Sequence, residues 1–96
     1  MKQQMAKAFH SLSDVNRLTI VEALSKGETC GCTIIDKLPV SQPTMSYHLK
    51  LMTDNGLLTS FKEGTWKKHH LNTDMIATMI AYLNDLLKDS MECACD

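Results

Sequence analysis

Two runs of alternating apolar and polar residues, 57–62 and Trp66–Leu71, stand in a chain whose other apolar residues recur at helical spacing. Glu63-Gly64-Thr65 between them reads as a turn, so the pair predicts one β-hairpin. Ninety-six residues make one domain at most, 1–96, so hairpin and helices share a single modest core.

Residues 3–12 predict a first helix with Met5, Ala8, Phe9 and Leu12 on one side. Ser13 or Asp14 caps a second, whose Leu18, Ile20, Val21 and Leu24 are expected to face inward, and Gly27 supplies its left-handed stop. A short third helix runs from Thr29 or Cys30 to Leu38, burying Ile34, Ile35 and Leu38, and Pro39 ends it. Ser41 caps a fourth, with Pro43 in its first turn, Met45, Leu49 and Met52 at helical spacing, and Gly56 stopping it after Asn55. After the hairpin, Asn72 or Thr73 caps a last helix carrying Met75, Ile76, Met79, Ile80, Leu83, Leu86 and Leu87. That stripe is too apolar for a lone surface helix, and its methionines suit a helix–helix seam. The order is that of a winged helix-turn-helix: mainly α with a β-hairpin wing, about five helices and two strands. It ends in a dimerisation helix and a short cysteine-containing tail.

Such a fold places the fourth helix in the major groove of double-stranded DNA and the hairpin wing on the neighbouring backbone or minor groove. Gln42, Thr44, Ser46, Tyr47 and His48 put hydrogen-bonding groups near the end of the helix that meets base edges. Lys50, Lys67 and Lys68 are the candidates for phosphate contacts, which add affinity without sequence information. Net charge is only −1, but residues 41–72 hold four lysines against two acids, an excess of +2 set against −3 elsewhere. His69 and His70 are adjacent on a strand, so they point to opposite faces and do not share an ion. No apolar leader or membrane-spanning run is visible, which predicts a cytoplasmic protein with no membrane partner. Thiols stay reduced there, so Cys30, Cys32, Cys93 and Cys95 suggest metal or redox chemistry before a disulfide framework. Cys30 has no histidine or carboxylate in a recognisable catalytic arrangement, and there is no glycine-rich phosphate loop, so an enzyme is not expected.

Several segments together carry a family resemblance. They are Leu12-Ser13-Asp14-Val15-Asn16-Arg17-Leu18, Glu28-Thr29-Cys30-Gly31-Cys32, Ser41-Gln42-Pro43-Thr44-Met45-Ser46-Tyr47-His48-Leu49, Asn55-Gly56-Leu57-Leu58 and Lys62-Glu63-Gly64-Thr65-Trp66. Over residues 5–88 the chain resembles the ArsR-type metalloregulators, small dimeric winged-helix repressors, and its Cys-x-Cys is similar to that of their arsenic-sensing branch. The resemblance implies a repressor that needs no cofactor to bind DNA and is released from its operator by arsenite or antimonite held on thiolates. Soft sulfur ligands suit such ions, which favour three thiolates. Cys30 and Cys32 match the branch, but its third cysteine position is Ile35: either the two thiolates hold the ion more weakly with a solvent ligand, or Cys93 or Cys95 supplies the third sulfur from the same or the other subunit. The family often has proline where Val15 stands, at a helix start.

A homodimer with recognition helices roughly 34–36 Å apart would read an imperfect palindrome. In the family resembled, zinc, nickel or cobalt sensing usually uses carboxylates and histidines of the last helix; here that helix has no histidine, so the resemblance disfavours that class. Alternatives left open are a redox- or cadmium-responsive repressor and a winged helix that binds protein.

Overall fold

The computed structural model describes residues 2–27, 34, 36 and 38–92. These contain four helices and two strands: α1 (Lys2–His10), α2 (Val15–Ser25), α3 (Gln42–Asp54), β1 (Leu58–Glu63), β2 (Trp66–Leu71) and α4 (Thr73–Glu92). The winged-helix order predicted from the sequence is present. The short helix expected between Thr29 or Cys30 and Leu38 falls for the most part outside the described residues, as do Ile35 and all four cysteines. Ile34 and Leu38 are described, and both are buried.

Each boundary has a local cause. The Asp14 carboxylate accepts from the backbone N–H groups of Asn16 and Arg17 at 2.9 and 3.1 Å and starts α2. Gly27, at φ +99°, ends the turn that follows, its N–H donating to the Leu24 carbonyl at 3.1 Å. The Ser41 hydroxyl accepts from the Thr44 N–H at 3.4 Å to cap α3, and Pro43 occupies the first turn, where its missing N–H costs nothing. Asn72 starts α4 through its side-chain oxygen, 3.2 Å from the Met75 N–H, and its amide donates to the Gly56 carbonyl at 2.9 Å.

The strands pair antiparallel, with Leu58 opposite Leu71, Lys62 opposite Lys67, and Glu63 opposite Trp66 closing a two-residue turn. Gly64 takes φ +65° while Thr65 does not have positive φ, the sign pattern of a type II′ turn with glycine first. One core cluster holds Ile20, Ala23, Leu24, Ile34, Leu38, Met45, Leu49, Met52 and Leu58, so it joins α2, the Ile34–Leu38 stretch, α3 and the root of the wing. A second joins Met5 and Ala8 of α1 to Leu57 and to Met79 of α4.

The inward face of α2 differs from expectation at one turn. Leu18 is 42% exposed, and Arg17 beside it is buried at 6%. The guanidinium takes the inward position because it finds acceptors there: Nε donates to the Ser11 carbonyl at 3.2 Å, and Nη2 donates to the His10 carbonyl at 3.2 Å and the Ser13 hydroxyl at 3.3 Å. A buried charge with its donors satisfied is tolerated where an unpaired one is not.

Candidate nucleic-acid interface

The N-terminal half of α3 is the candidate reading surface. Its buried stripe, Met45, Leu49 and Met52, fixes the helix to the core. Gln42, Thr44, Ser46 and Tyr47 remain exposed on the rest of its circumference. With no acidic residue in the first turn, no carboxylate of the helix opposes its positive dipole end.

His48 departs from this set. It is 6% exposed, and its Nδ1 lies 3.2 Å from Arg17 Nη1 while Nε2 lies 3.9 Å from an Asp14 carboxylate oxygen. The ring faces the α1–α2 corner and not the surface that Gln42, Thr44, Ser46 and Tyr47 share. Sequence periodicity places residue 48 at the edge of the apolar stripe; only the buried Arg17 draws it inside.

The basic residues separate by partner. Lys50 is exposed but paired with Asp54 at 3.0 Å, one turn along α3. Lys68 is mostly covered and paired with Glu63 at 3.3 Å. Lys67 is exposed, and directly across the hairpin stands Lys62, exposed as well and absent from the sequence-based candidates. Neither has a carboxylate partner among the described residues. Strand alternation puts cross-paired residues on one face, so register was the signal that Lys62 belongs with Lys67. Trp66, next to the turn, is 59% exposed. Lys50, Lys67 and Ser46 line a cleft of about 360 Å³ between α3 and the wing, floored by Leu49 and His69.

The two adjacent histidines do point opposite ways. His69 is buried under the wing with Nδ1 lacking a hydrogen-bond partner, and burial first, then the nearby Lys67 charge, lowers its pKa. His70 is exposed and stacks on Phe61 with centroids 4.5 Å apart.

The four predicted thiol ligands, Cys30, Cys32, Cys93 and Cys95, lie outside the described residues. Among the described residues, no group of three or more His, Cys, Asp or Glu is placed to hold a metal ion. None of the described helices is long and apolar enough to cross a membrane.

Away from the reading surface, α4 carries an uncovered apolar stripe. Ile80, Leu83, Leu86 and Leu87 are exposed, Leu83 at 51% and Leu87 at 60%. The stripe runs into an apolar hollow of about 350 Å³ between α1, α2 and α4, lined by Phe9, Leu12, Val21 and Leu57.

Comparison with known proteins agrees with this geometry. Residues 14–60 match the family described as bacterial regulatory protein, arsR family. The chain is 34% identical over 93 residues to the arsenical resistance operon repressor of Staphylococcus aureus, covering 97% of this chain and 89% of that one. Its fold is similar to an ArsR-like transcriptional regulator from Rhodococcus sp. RHA1, with a TM-score of 0.86 at 22% identity, covering 94% of this chain and 83% of that one. A homodimeric winged helix-turn-helix DNA-binding domain from Mycobacterium bovis superposes with a TM-score of 0.72 at 22% identity, covering 98% and 87% of the two chains.

Proposed function

Because the chain belongs to the arsR family of bacterial regulatory proteins, a family of DNA-binding transcription factors and not of enzymes, we propose that it is a homodimeric operator repressor released by arsenite or antimonite. The observation that carries the inducer class is the 34% identity, over 97% of the chain, to a repressor named for arsenical resistance. The donor chemistry supports it: Cys30 and Cys32 offer two soft thiolates two positions apart, and Cys93 and Cys95 follow α4. Thiolate sulfur suits a soft ion better than a hard one. No cofactor is needed for DNA binding in this reading.

The reading takes residues 1–96 as one winged-helix domain acting in the cytoplasm, with α4 and α1 forming the dimer and a short cysteine tail behind α4. Gln42, Thr44, Ser46 and Tyr47 would face base edges of an imperfect palindrome, and Lys50, Lys67 and Lys68 its phosphates. Of the lysines, Lys67 is the strongest candidate, since Lys50 and Lys68 would first leave Asp54 and Glu63.

The core supplies a route from inducer to DNA. Ile34, two residues beyond Cys32, is fully buried in the cluster that holds Met45, Leu49 and Met52 of α3. A packed core does not deform continuously, so an ion that redraws the chain at Cys30 and Cys32 would shift α3 with it. A coupling of about 1–3 kcal/mol lowers DNA affinity roughly 5–150-fold.

The test is operator affinity of reduced protein with and without arsenite. Wild type is expected to release DNA, and Cys30→Ser with Cys32→Ser to bind DNA and ignore arsenite. Equal wild-type affinities in both buffers would remove the inducer. Native mass spectrometry of the Cys93→Ser, Cys95→Ser protein then reads the tail: weakened arsenic binding means that it completes the site, unchanged binding that it does not.

A further inference from the structure

Arg17 does more than stop α1. Its Nε and Nη2 hold the carbonyls of Ser11 and His10 at the end of that helix, and its remaining nitrogen, Nη1, reaches across to α3. Arginine only donates, so His48 Nδ1 accepts, and the ring is the neutral tautomer carrying its proton on Nε2, the nitrogen turned toward Asp14. Asp14 in turn caps α2. A second polar tether lies two helical turns further along the same face of α3, where Asn55 Nδ2 donates to the Ser11 hydroxyl at 3.2 Å. The α1–α2 corner therefore grips α3 by two directional contacts beside an apolar stripe that includes Met45 and Met52. Thioether side chains repack easily and specify a rotation poorly. At the other end α1 is held against α4 through Met5, Ala8 and Met79.

We propose that Arg17 and His48 are a positioning pair that sets the orientation of the recognition helix relative to α1, and so governs sequence discrimination without either side chain touching DNA. The inference rests on the DNA-reading role proposed for α3. The acceptor at the Nδ1 position is the element that matters. Asparagine at residue 48 keeps it, because its Oδ1, like Nδ1, is bonded to Cγ. Leucine keeps bulk and loses the acceptor, leaving the buried Arg17 Nη1 unpaired.

A duplex selected by wild type from a random-sequence pool, and a scrambled duplex of the same composition, serve as probes at one salt concentration. His48→Leu is expected to lose about tenfold or more in affinity for the selected duplex and less than about twofold for the scrambled one. His48→Asn is expected to stay within about threefold of wild type on both. In DNA-free protein, the amide resonances of Gln42–Asp54 and of His10–Ser13 are expected to move together in His48→Leu and to stay near wild type in His48→Asn. Wild-type discrimination in His48→Leu, equal losses on both duplexes, or a His48→Asn protein as impaired as His48→Leu would each overturn the proposal. If wild type selects no sequence at all, the regulatory reading fails, and the amide resonances still decide the pair: an unmoved α3 in His48→Leu overturns it.

Discussion

At the scale of single residues, two titrating groups each cost the fold stability as pH falls, in different pH ranges. Hydrogen bonds from the Arg17 N–H above all, and from Asn16, hold the Asp14 carboxyl below its ordinary 3.8. A carboxyl lowered in the folded state stabilises above 3.8 and loses that contribution as pH falls through its folded value. Asp14→Asn keeps a side-chain oxygen at the cap, so its urea midpoint is expected to fall less than the wild type's between pH 5 and pH 2.5. His69 acts in the same direction at higher pH. Burial and the Lys67 charge lower its pKa from 6.5, so the unfolded chain takes up the proton first. Its effect is absent well above pH 6.5 and destabilising as pH falls from 6.5 toward the folded value. His69→Leu also removes a buried nitrogen without a partner, and is expected to lose less of its midpoint than wild type between pH 7.5 and pH 5. A steeper loss in the variant would show that the ring is protonated in the folded state.

At the scale of elements, the proposed reading makes the wing and α3 distinct contributors to DNA affinity. Lys62 and Lys67 share one face of a rigidly registered hairpin, so each is expected to meet the backbone when the wing does. Lys67→Ala is expected to reduce the slope of log affinity against log salt by about 1 per wing and to weaken all sequences alike. Lys68→Ala is expected to change it less, since Glu63 already holds that ammonium at 3.3 Å. Equal slopes for Lys67→Ala and wild type would take the wing off the backbone. The start of α3 is more modest in energy: Ser41→Ala gives up a long 3.4 Å cap and should cost about 0.5–1 kcal/mol in denaturant unfolding. Gly56 is less forgiving. It sits at φ +85°, where a side chain is strained, and an added Cβ would stand 3.4 Å from the Met75 methyl.

At the scale of the whole molecule, the outer half of α4 has nothing to pack on among the described residues of one chain. The molecule extends 57 Å along its long axis and about 26 by 24 Å across it. Its radius of gyration of 15.7 Å exceeds the ~12–13 Å usual for a compact domain of this length. An apolar stripe that emerges from the core and continues uncovered is the physical case for a second copy. In a two-fold interface residue 83 would appear on both sides of the seam, so one substitution introduces two charges. Leu83→Glu is expected to sediment as a monomer, to keep its helical circular dichroism, and to lose about tenfold or more in operator affinity, the ~1.4 kcal/mol or more that linked half-sites supply. A dimer of undiminished strength would move the interface elsewhere.

Strand alternation, the spacing of Met45, Leu49 and Met52, the cap at Ser41 and the stop at Gly27 were legible in the chain, and the caps of α2 and α4 were legible to within one residue, Ser13 or Asp14 and Asn72 or Thr73, because each is a local effect decided within a few residues. The family resemblance was carried by the same short segments. Partner choice between distant residues was not legible. Arg17 is inside and Leu18 outside because carbonyls at the end of α1 meet the guanidinium there, and His48 follows Arg17 across 31 positions of sequence. Lys68 and Lys50 look like Lys67 in the sequence, and only their distances to Glu63 and Asp54 separate them. Periodicity assigns a residue to a face. Which buried polar group finds its acceptor, and which charge is left for a ligand, is decided when elements far apart in the chain close on one another.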